Sequence, residues 1–122
     1  MFILDTNILI GYLKNEADVA DFIEFGVRDV KKYIIPTVCI VEILALPEIL
    51  EKDKKNFLAL AELLEVSILD CNIAIIAGNL RSKYKTKIID SIIAATAINY
   101  KAILVSRDKD FKKIKEIEVL DL

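Results

Sequence analysis

Short apolar runs alternate along the chain with longer segments in which apolar residues recur every three or four positions. The short runs predict buried strands, and the longer segments predict helices that pack through one side. Strands are predicted at residues 2–4, 33–35, 66–69, 103–105 and 117–120. Helical segments separate these strands, which is the order typical of an α/β fold around a mainly parallel sheet.

Polar residues and prolines mark the expected ends of the helices. Asn15 and Thr37 are expected to cap the second and third helices with their side chains, and Val27 is expected on the buried face of the second helix with Val19 and Ile23. Helices are predicted at residues 6–13, 15–30, 37–46, 48–65 (in two pieces), 70–84 and 90–99, with a single turn at 109–113.

The composition favours one packed domain. The 122 residues are 55% hydrophobic and 30% charged, with only three glycines and two prolines, so we expect a single domain over residues 1–122. Every apolar run is shorter than the eighteen or so uncharged residues needed to cross a membrane. Asp5 lies where a secretion signal would carry basic residues. We therefore expect a cytoplasmic protein that makes no membrane contact.

The chain has no histidine and no pair of closely spaced cysteines. This composition excludes Ser-His-Asp and Cys-His catalysis and nearly all zinc sites. Cys39 and Cys71 both lie in apolar stretches and are expected to be buried free thiols. Any catalysis must therefore use carboxylates, hydroxyls, lysines or arginines.

Carboxylates follow two of the predicted strands directly. Asp5 follows the first strand, and Asp108 follows the fourth in the sequence ILVSRDKDF. Ligands of open parallel sheets bind outside the carboxyl ends of the strands, where the strand order switches direction. If the first and fourth strands are neighbours, Asp5 and Asp108 share one edge of the sheet.

Two further acidic residues lie in otherwise apolar helical segments. Burying Glu42 without a partner would be costly, so we expect a cleft or a cation to receive it. Asp90 begins the segment DSIIAATAI, where helix capping worth about 0.5–2 kcal/mol is an equally good explanation. Clustered carboxylates repel one another unless a cation lies between them, and oxygen ligands of this kind suit Mg²⁺ or Mn²⁺.

The stretches DTNILI, DSIIAATA and ILVSRDKDF, with the isolated Glu42 between them, together resemble the PIN domain. The similarity is closest to the VapC-type toxin ribonucleases of toxin–antitoxin pairs. It implies a three-layer α/β/α domain with four or five mainly parallel strands and a Mg²⁺- or Mn²⁺-dependent endoribonuclease activity. The catalytic and metal-binding residues would be Asp5, Glu42, Asp90 and Asp108, with possible support from Asn7, Ser106 and Asp110.

The same resemblance implies an RNA substrate, a small VapB-like antitoxin and a homodimer. Apolar faces within residues 8–13 and 57–64 are candidate surfaces for these protein partners. The net charge is −2, so an RNA substrate would require local positive charge and would bind less tightly as salt rises. The expected phosphate-binding residues are Arg81, Lys83, Lys85 and Lys87.

Other functions remain open from sequence. A PIN domain that binds RNA or protein without turnover, or one that acts in RNA processing, would carry the same motifs. A phosphoacceptor signalling domain has a similar length and sheet, but it needs an acidic pair after the first strand. Only Asp5 stands there, which disfavours this class.

Overall fold

The computed structural model describes residues 1–29 and 32–122. Within these ranges, five strands form one sheet in the order β3-β2-β1-β4-β5, and every neighbouring pair is parallel. The predicted α/β fold with a parallel sheet is therefore confirmed, with five strands. The strands are β1 (Phe2–Leu4), β2 (Tyr33–Pro36), β3 (Glu65–Ser67), β4 (Ile103–Val105) and β5 (Val119–Leu120).

Six α-helices and one 3₁₀ turn connect the strands in the described parts of the chain. Because parallel crossovers are right-handed, the connections toward β3 and the long connection back to β4 lie on opposite faces of the sheet. This arrangement gives the three layers. The helices are α1 (Thr6–Leu13), α2 (Ala17–Arg28), α3 (Thr37–Leu44), α4 (Glu51–Leu63), α5 (Cys71–Tyr84) and α6 (Ile88–Tyr100), and the 3₁₀ turn is Lys109–Lys113.

The predicted capping of α2 by Asn15 is wrong. Asn15 has a φ of 55°, and its N–H donates to the carbonyl of Tyr12, so it ends α1 instead of starting α2. Asparagine suits both roles because its short polar side chain tolerates the left-handed conformation. Val27 is exposed, and the predicted helix end at Val30 lies outside the described residues.

Three smaller predictions also differ from the structure. Thr37 begins α3 without capping it through its side chain. The region predicted as two helical pieces contains one helix, α4, which starts after the loop that holds Pro47. Cys71 is exposed at the start of α5, whereas Cys39 is buried as expected.

The largest buried side chain in the core is Tyr33 of β2. Its ring stacks on Phe22 and meets Phe2 edge-on, with ring centroids 5.2 and 5.5 Å away. Its hydroxyl donates a hydrogen bond of 2.7 Å to the carbonyl of Phe22, which satisfies the polar end of a buried aromatic residue. This cluster holds α2 against the sheet. No helix in the described parts of the chain is long and apolar enough to cross a membrane.

Candidate active site

Asp5 lies at the junction of β1 and α1 and is almost fully buried, with 6% of its surface exposed. One carboxylate oxygen accepts the N–H of Thr6 at 2.7 Å, and the other accepts the hydroxyl of Ser106 at 2.6 Å. Ser106 is close because β1 and β4 are neighbours, with Leu4 opposite Val105. The first and fourth strands are therefore neighbours, which is the condition under which Asp5 and Asp108 were expected to share one edge of the sheet.

Ser106 organises the loop that follows β4. Its hydroxyl oxygen accepts the N–H of Asp108 at 3.0 Å and the side-chain amide of Asn7 at 3.4 Å. The carbonyl oxygen of Asn7 in turn accepts the N–H of Arg107 at 3.3 Å. Asn7 therefore acts on the carboxylate of Asp5 only indirectly, by holding the Ser106 loop against α1.

Glu42 is half-buried on α3. Its carboxylate accepts a hydrogen bond of 2.5 Å from the hydroxyl of Thr6. Thr6 thus contacts two candidate carboxylates, one through its N–H and one through its side chain. Sequence reasoning treated Thr6 only as a helix start, although its position directly after Asp5 was a usable signal.

Asp90 lies in the first turn of α6 and is half-buried, and it makes no capping hydrogen bond. Burial raises its pKa, and the negative charges of Asp108, Glu42 and Asp110 raise it further, while the positive charge of Lys87 lowers it. Asp108 is the more buried of the two aspartates in its loop, and its carboxylate caps the 3₁₀ turn by accepting the N–H of Asp110 at 2.9 Å.

The electrostatics of Asp5 also show that the acidic side chains are close together. Its pKa is raised from 3.8 to about 6, mainly because burial removes water from the carboxylate. The hydrogen bonds from Ser106 and Thr6 oppose this shift, and the charges of Asp90 and Glu42 add to it. The structure therefore brings these carboxylates within electrostatic reach of one another.

This donor set suits a hard divalent cation. It supplies only carboxylate and hydroxyl oxygens. Burial is the main cause of the raised pKa values of Asp5 and Asp90, and a cation would relieve the mutual repulsion that adds to it. Within residues 1–29 and 32–122, no three such side chains are arranged to hold an ion as they stand. Ion binding would therefore require the carboxylates to turn toward a common point.

The four basic residues expected to bind RNA fall into two groups in the structure. Arg81 donates to the backbone carbonyl of Thr86 at 2.7 Å, and Lys83 pairs with Glu116 at 3.1 Å. Both side chains are therefore engaged with other groups of the chain. Lys85 and Lys87 are exposed on the loop between α5 and α6 and line a cavity beside Asp90.

An unpredicted residue, Arg107, fixes the outer side of the site. Its guanidinium contacts Glu16 at 2.5 Å and Asp18 at 3.4 Å, and also donates to the carbonyl of Leu122 at 3.2 Å. It thereby ties the β4 loop to the start of α2. Nothing in the sequence pattern indicated this contact, because it depends on where α2 packs.

The family model of the PIN domain matches residues 2–117. The chain therefore belongs to the PIN domain family. None of the curated protein sequences compared with the chain matches it.

Solved structures of toxin–antitoxin complexes share the fold. A toxin–antitoxin complex from Klebsiella pneumoniae has a TM-score of 0.80 at 23% identity, covering 98% of this chain and 96% of that one. VapBC2 from Rickettsia felis, bound to a promoter DNA fragment, gives 0.83 at 20% identity, covering 99% and 98%. DNA-bound VapBC from Salmonella typhimurium gives 0.79 at 24% identity, covering 98% and 96%. At these identities the likeness establishes the shared fold.

Proposed function

We propose that this chain is a metal-dependent endoribonuclease and the toxin of a VapBC-type pair. The observation that carries the proposal is the hydroxyl-linked acidic cluster around Asp5, in which Ser106 and Thr6 contact carboxylates from separate segments. Membership of the PIN family and the fold shared with toxin–antitoxin complexes support it. A cytoplasmic location would give the enzyme access to its RNA.

The roles follow from the contacts of each side chain. Asp5, Glu42, Asp90 and Asp108 would hold one or two Mg²⁺ or Mn²⁺ ions, which when bound would supply positive charge for hydrolysis of a phosphodiester bond. Ser106 keeps the carboxylate of Asp5 oriented, and Thr6 does the same for Glu42. Asn7 is a positioning residue for the Ser106 loop, and Asp110 stands outside this set as an exposed neighbour.

The test is cleavage of end-labelled RNA by the purified chain with Mg²⁺, with Mn²⁺ or with EDTA. We expect cleavage only with a divalent cation, leaving 3′-hydroxyl and 5′-phosphate ends. Asp5→Asn should lose at least about 100-fold in rate. The matched control is Asp21→Asn, because Asp21 is an exposed aspartate of α2 outside the acidic cluster.

A different result would favour a binding module without turnover. Cation binding by calorimetry, together with intact RNA under every condition, would replace the nuclease proposal with that alternative. The observation that supports this alternative is that the carboxylates of Glu42 and Asp108 already accept hydrogen bonds within the chain. Cleavage that persists equally in Asp5→Asn would contradict the assignment of the site.

The antitoxin would bind an apolar groove beside α1. A cavity of about 380 Å³ is lined there by apolar residues of α1 and of the loop after α3, together with Lys14, Glu48 and Asp53. Residues Ile8 and Leu9 of the predicted face 8–13 are core, so Ile10 and Leu13 remain as contact residues. Leu13→Asp should abolish co-purification with the product of an adjacent small reading frame, whereas Leu58→Asp, at an exposed position of α4 outside this groove, should not.

A homodimer would use the exposed isoleucines of the segment from β3 to α6. Ile68 before α5, Ile75 within α5 and Ile88 at the start of α6 are 73%, 60% and 59% exposed, and exposed apolar side chains of this kind are candidates for burial at an interface. In the predicted face 57–64, by contrast, Phe57 and Leu60 are core. Light scattering should report a dimer for the natural chain and a monomer for Ile75→Asp.

A further inference from the structure

A second cavity, of about 120 Å³, adjoins the acidic cluster at Asp90. Its walls come from the loop between α5 and α6 and from the 3₁₀ turn after β4. Three lysines and two aspartates line it, which leaves a net positive charge. The lining residues are Lys85, Thr86, Lys87, Asp90, Asp110, Phe111 and Lys113.

The backbone on one side of this cavity is held rigidly. Thr86 is buried, its hydroxyl pairs with that of Ser91 at 2.5 Å, and its carbonyl accepts Arg81. Lys85 ends α5 in the left-handed conformation, and its N–H donates to the carbonyl of Arg81. The two lysines of this loop therefore project from a fixed base, which lowers the ordering cost of binding a ligand.

The lysines of the cavity are available to a ligand. Neighbouring Lys83 and Lys112 form ion pairs with Glu116 and Asp121. Lys85, Lys87 and Lys113 form no ion pair within 4.0 Å with any residue of 1–29 or 32–122. Lys87 also precedes the first turn of α6, where no side chain caps the free N–H groups and the helix dipole adds positive potential.

We infer that this lysine cavity binds an RNA phosphate close to the bond that is cleaved. Asp90 belongs both to the acidic cluster and to the cavity wall, so a phosphate bound by the lysines lies beside the reacting one. The negative charge of Asp110 repels an anion, which would therefore bind on the side of the cavity that carries the lysines. The inference rests on the proposed ribonuclease function and assigns one subsite within it. The ligand is a backbone phosphodiester or the monoester at a 5′ end.

The test compares two variants of equal charge. In the first, Lys85, Lys87 and Lys113 are all replaced by Gln; in the control, Lys52, Lys54 and Lys55 of α4 are replaced in the same way. Binding of a fluorescent single-stranded RNA is measured by anisotropy in EDTA over a range of NaCl concentrations. The cavity variant should bind about 3- to 10-fold more weakly, and the slope of log K against log salt should fall by about 0.7, the value for one phosphate contact.

Neutral linkages then locate the phosphate. A series of RNAs is used, each with one methylphosphonate at a different position. The natural chain and the α4 control should bind one RNA of this series more weakly than the others. The cavity variant should bind that RNA as tightly as the rest. Comparison of 5′-phosphate and 5′-hydroxyl RNAs separates a terminal monoester from an internal diester. Equal losses in both variants, no sensitive linkage, or no RNA binding by the natural chain would overturn the inference.

The failure of this inference and that of the nuclease proposal are distinguishable, because binding in EDTA does not require cleavage. In cleavage assays, the cavity variant should raise KM about 3- to 10-fold. An unchanged KM with normal cleavage would overturn the subsite and leave the nuclease intact. Lysine-dependent RNA binding without any cleavage would overturn the nuclease proposal and leave the phosphate-binding cavity intact.

Discussion

The hydroxyl of Ser106 donates a 2.6 Å hydrogen bond to the carboxylate of Asp5 across the β1–β4 pair. The same hydroxyl oxygen accepts the N–H of Asp108. One small side chain therefore connects the carboxylate of Asp5 to the backbone of Asp108, the next candidate metal ligand in this loop.

Replacing Ser106 with Ala should alter the pH profile of cleavage. Loss of the hydrogen bond would raise the pKa of Asp5 above its value of about 6, because the bond favours the charged carboxylate. The acid limb of the rate profile should move to higher pH, and unfolding should become easier by about 1–3 kcal/mol. Ser106→Thr restores the hydroxyl and should restore the profile. A profile unchanged in Ser106→Ala would contradict this role.

The burial of Asp5 should also make stability depend on pH when no metal is present. The folded chain keeps the proton of Asp5 up to about pH 6, whereas an aspartate in water releases it near pH 3.8. Between these values the folded state binds more protons, so the free energy of unfolding falls as pH rises. The full loss is roughly 3 kcal/mol, and it is complete by about pH 7.

Urea unfolding in EDTA at pH 4 to 8 measures this effect. Asp5→Asn removes the titrating group, so its stability relative to the natural chain should improve steadily from pH 4 to pH 7. Added Mn²⁺ should stabilise the natural chain at pH 7 and have much less effect on the variant. Parallel curves for the two proteins across this range would show that Asp5 does not titrate as proposed.

Asp108 and Asp110 should differ sharply in their importance. Asp108 is half-buried and raises the pKa of Asp90 more than Asp110 does, while Asp110 is exposed. Asp108→Asn keeps the cap of the 3₁₀ turn and should reduce cleavage about 100-fold or more. Asp110→Asn should reduce it by less than about tenfold. The opposite ranking would transfer the ligand role to Asp110.

Two glycines in helix interiors should respond in opposite directions to alanine. A Cβ on Gly26 would lie 2.1 Å from the ring of Tyr33, whereas a Cβ on Gly78 meets nothing within 4 Å. Gly26→Ala should destabilise the chain by about 1–3 kcal/mol. Gly78→Ala should stabilise it by about 0.5–1 kcal/mol, because alanine is the better helix former. Changes of the same sign in urea unfolding would contradict this packing.

The strands and the acidic edge were predictable because each rests on a local signal. An apolar run followed at once by Asp5, and another followed by Ser106, specify strand ends directly. Whether these two strands are neighbours could not be predicted from the sequence, since the order of parallel strands is set by long crossovers. The partner of Glu42 was expected to be a cation or a cleft, and the nearest group in the structure is the hydroxyl of Thr6.

The environments of the basic residues could not be predicted from the sequence. The sequence gives no reason to distinguish Arg81, Lys83, Lys85 and Lys87. In the structure, the first two contact other groups of the chain and the last two line a cavity. Lys113 joins that cavity from a different segment. No pattern in the chain predicts this, because the position of the 3₁₀ turn relative to α6 is fixed only by tertiary packing.

The strand order has a consequence for synthesis in the cell. Asp5 is made 101 residues before the serine that orients it, and β1 lacks its neighbour β4 until then. At about 5–20 residues per second, the ribosome takes roughly 5–20 s to cover that interval. A growing polypeptide that has not reached β4 therefore carries Asp5 without the serine that orients it, so the proposed cleavage centre would assemble only after that time.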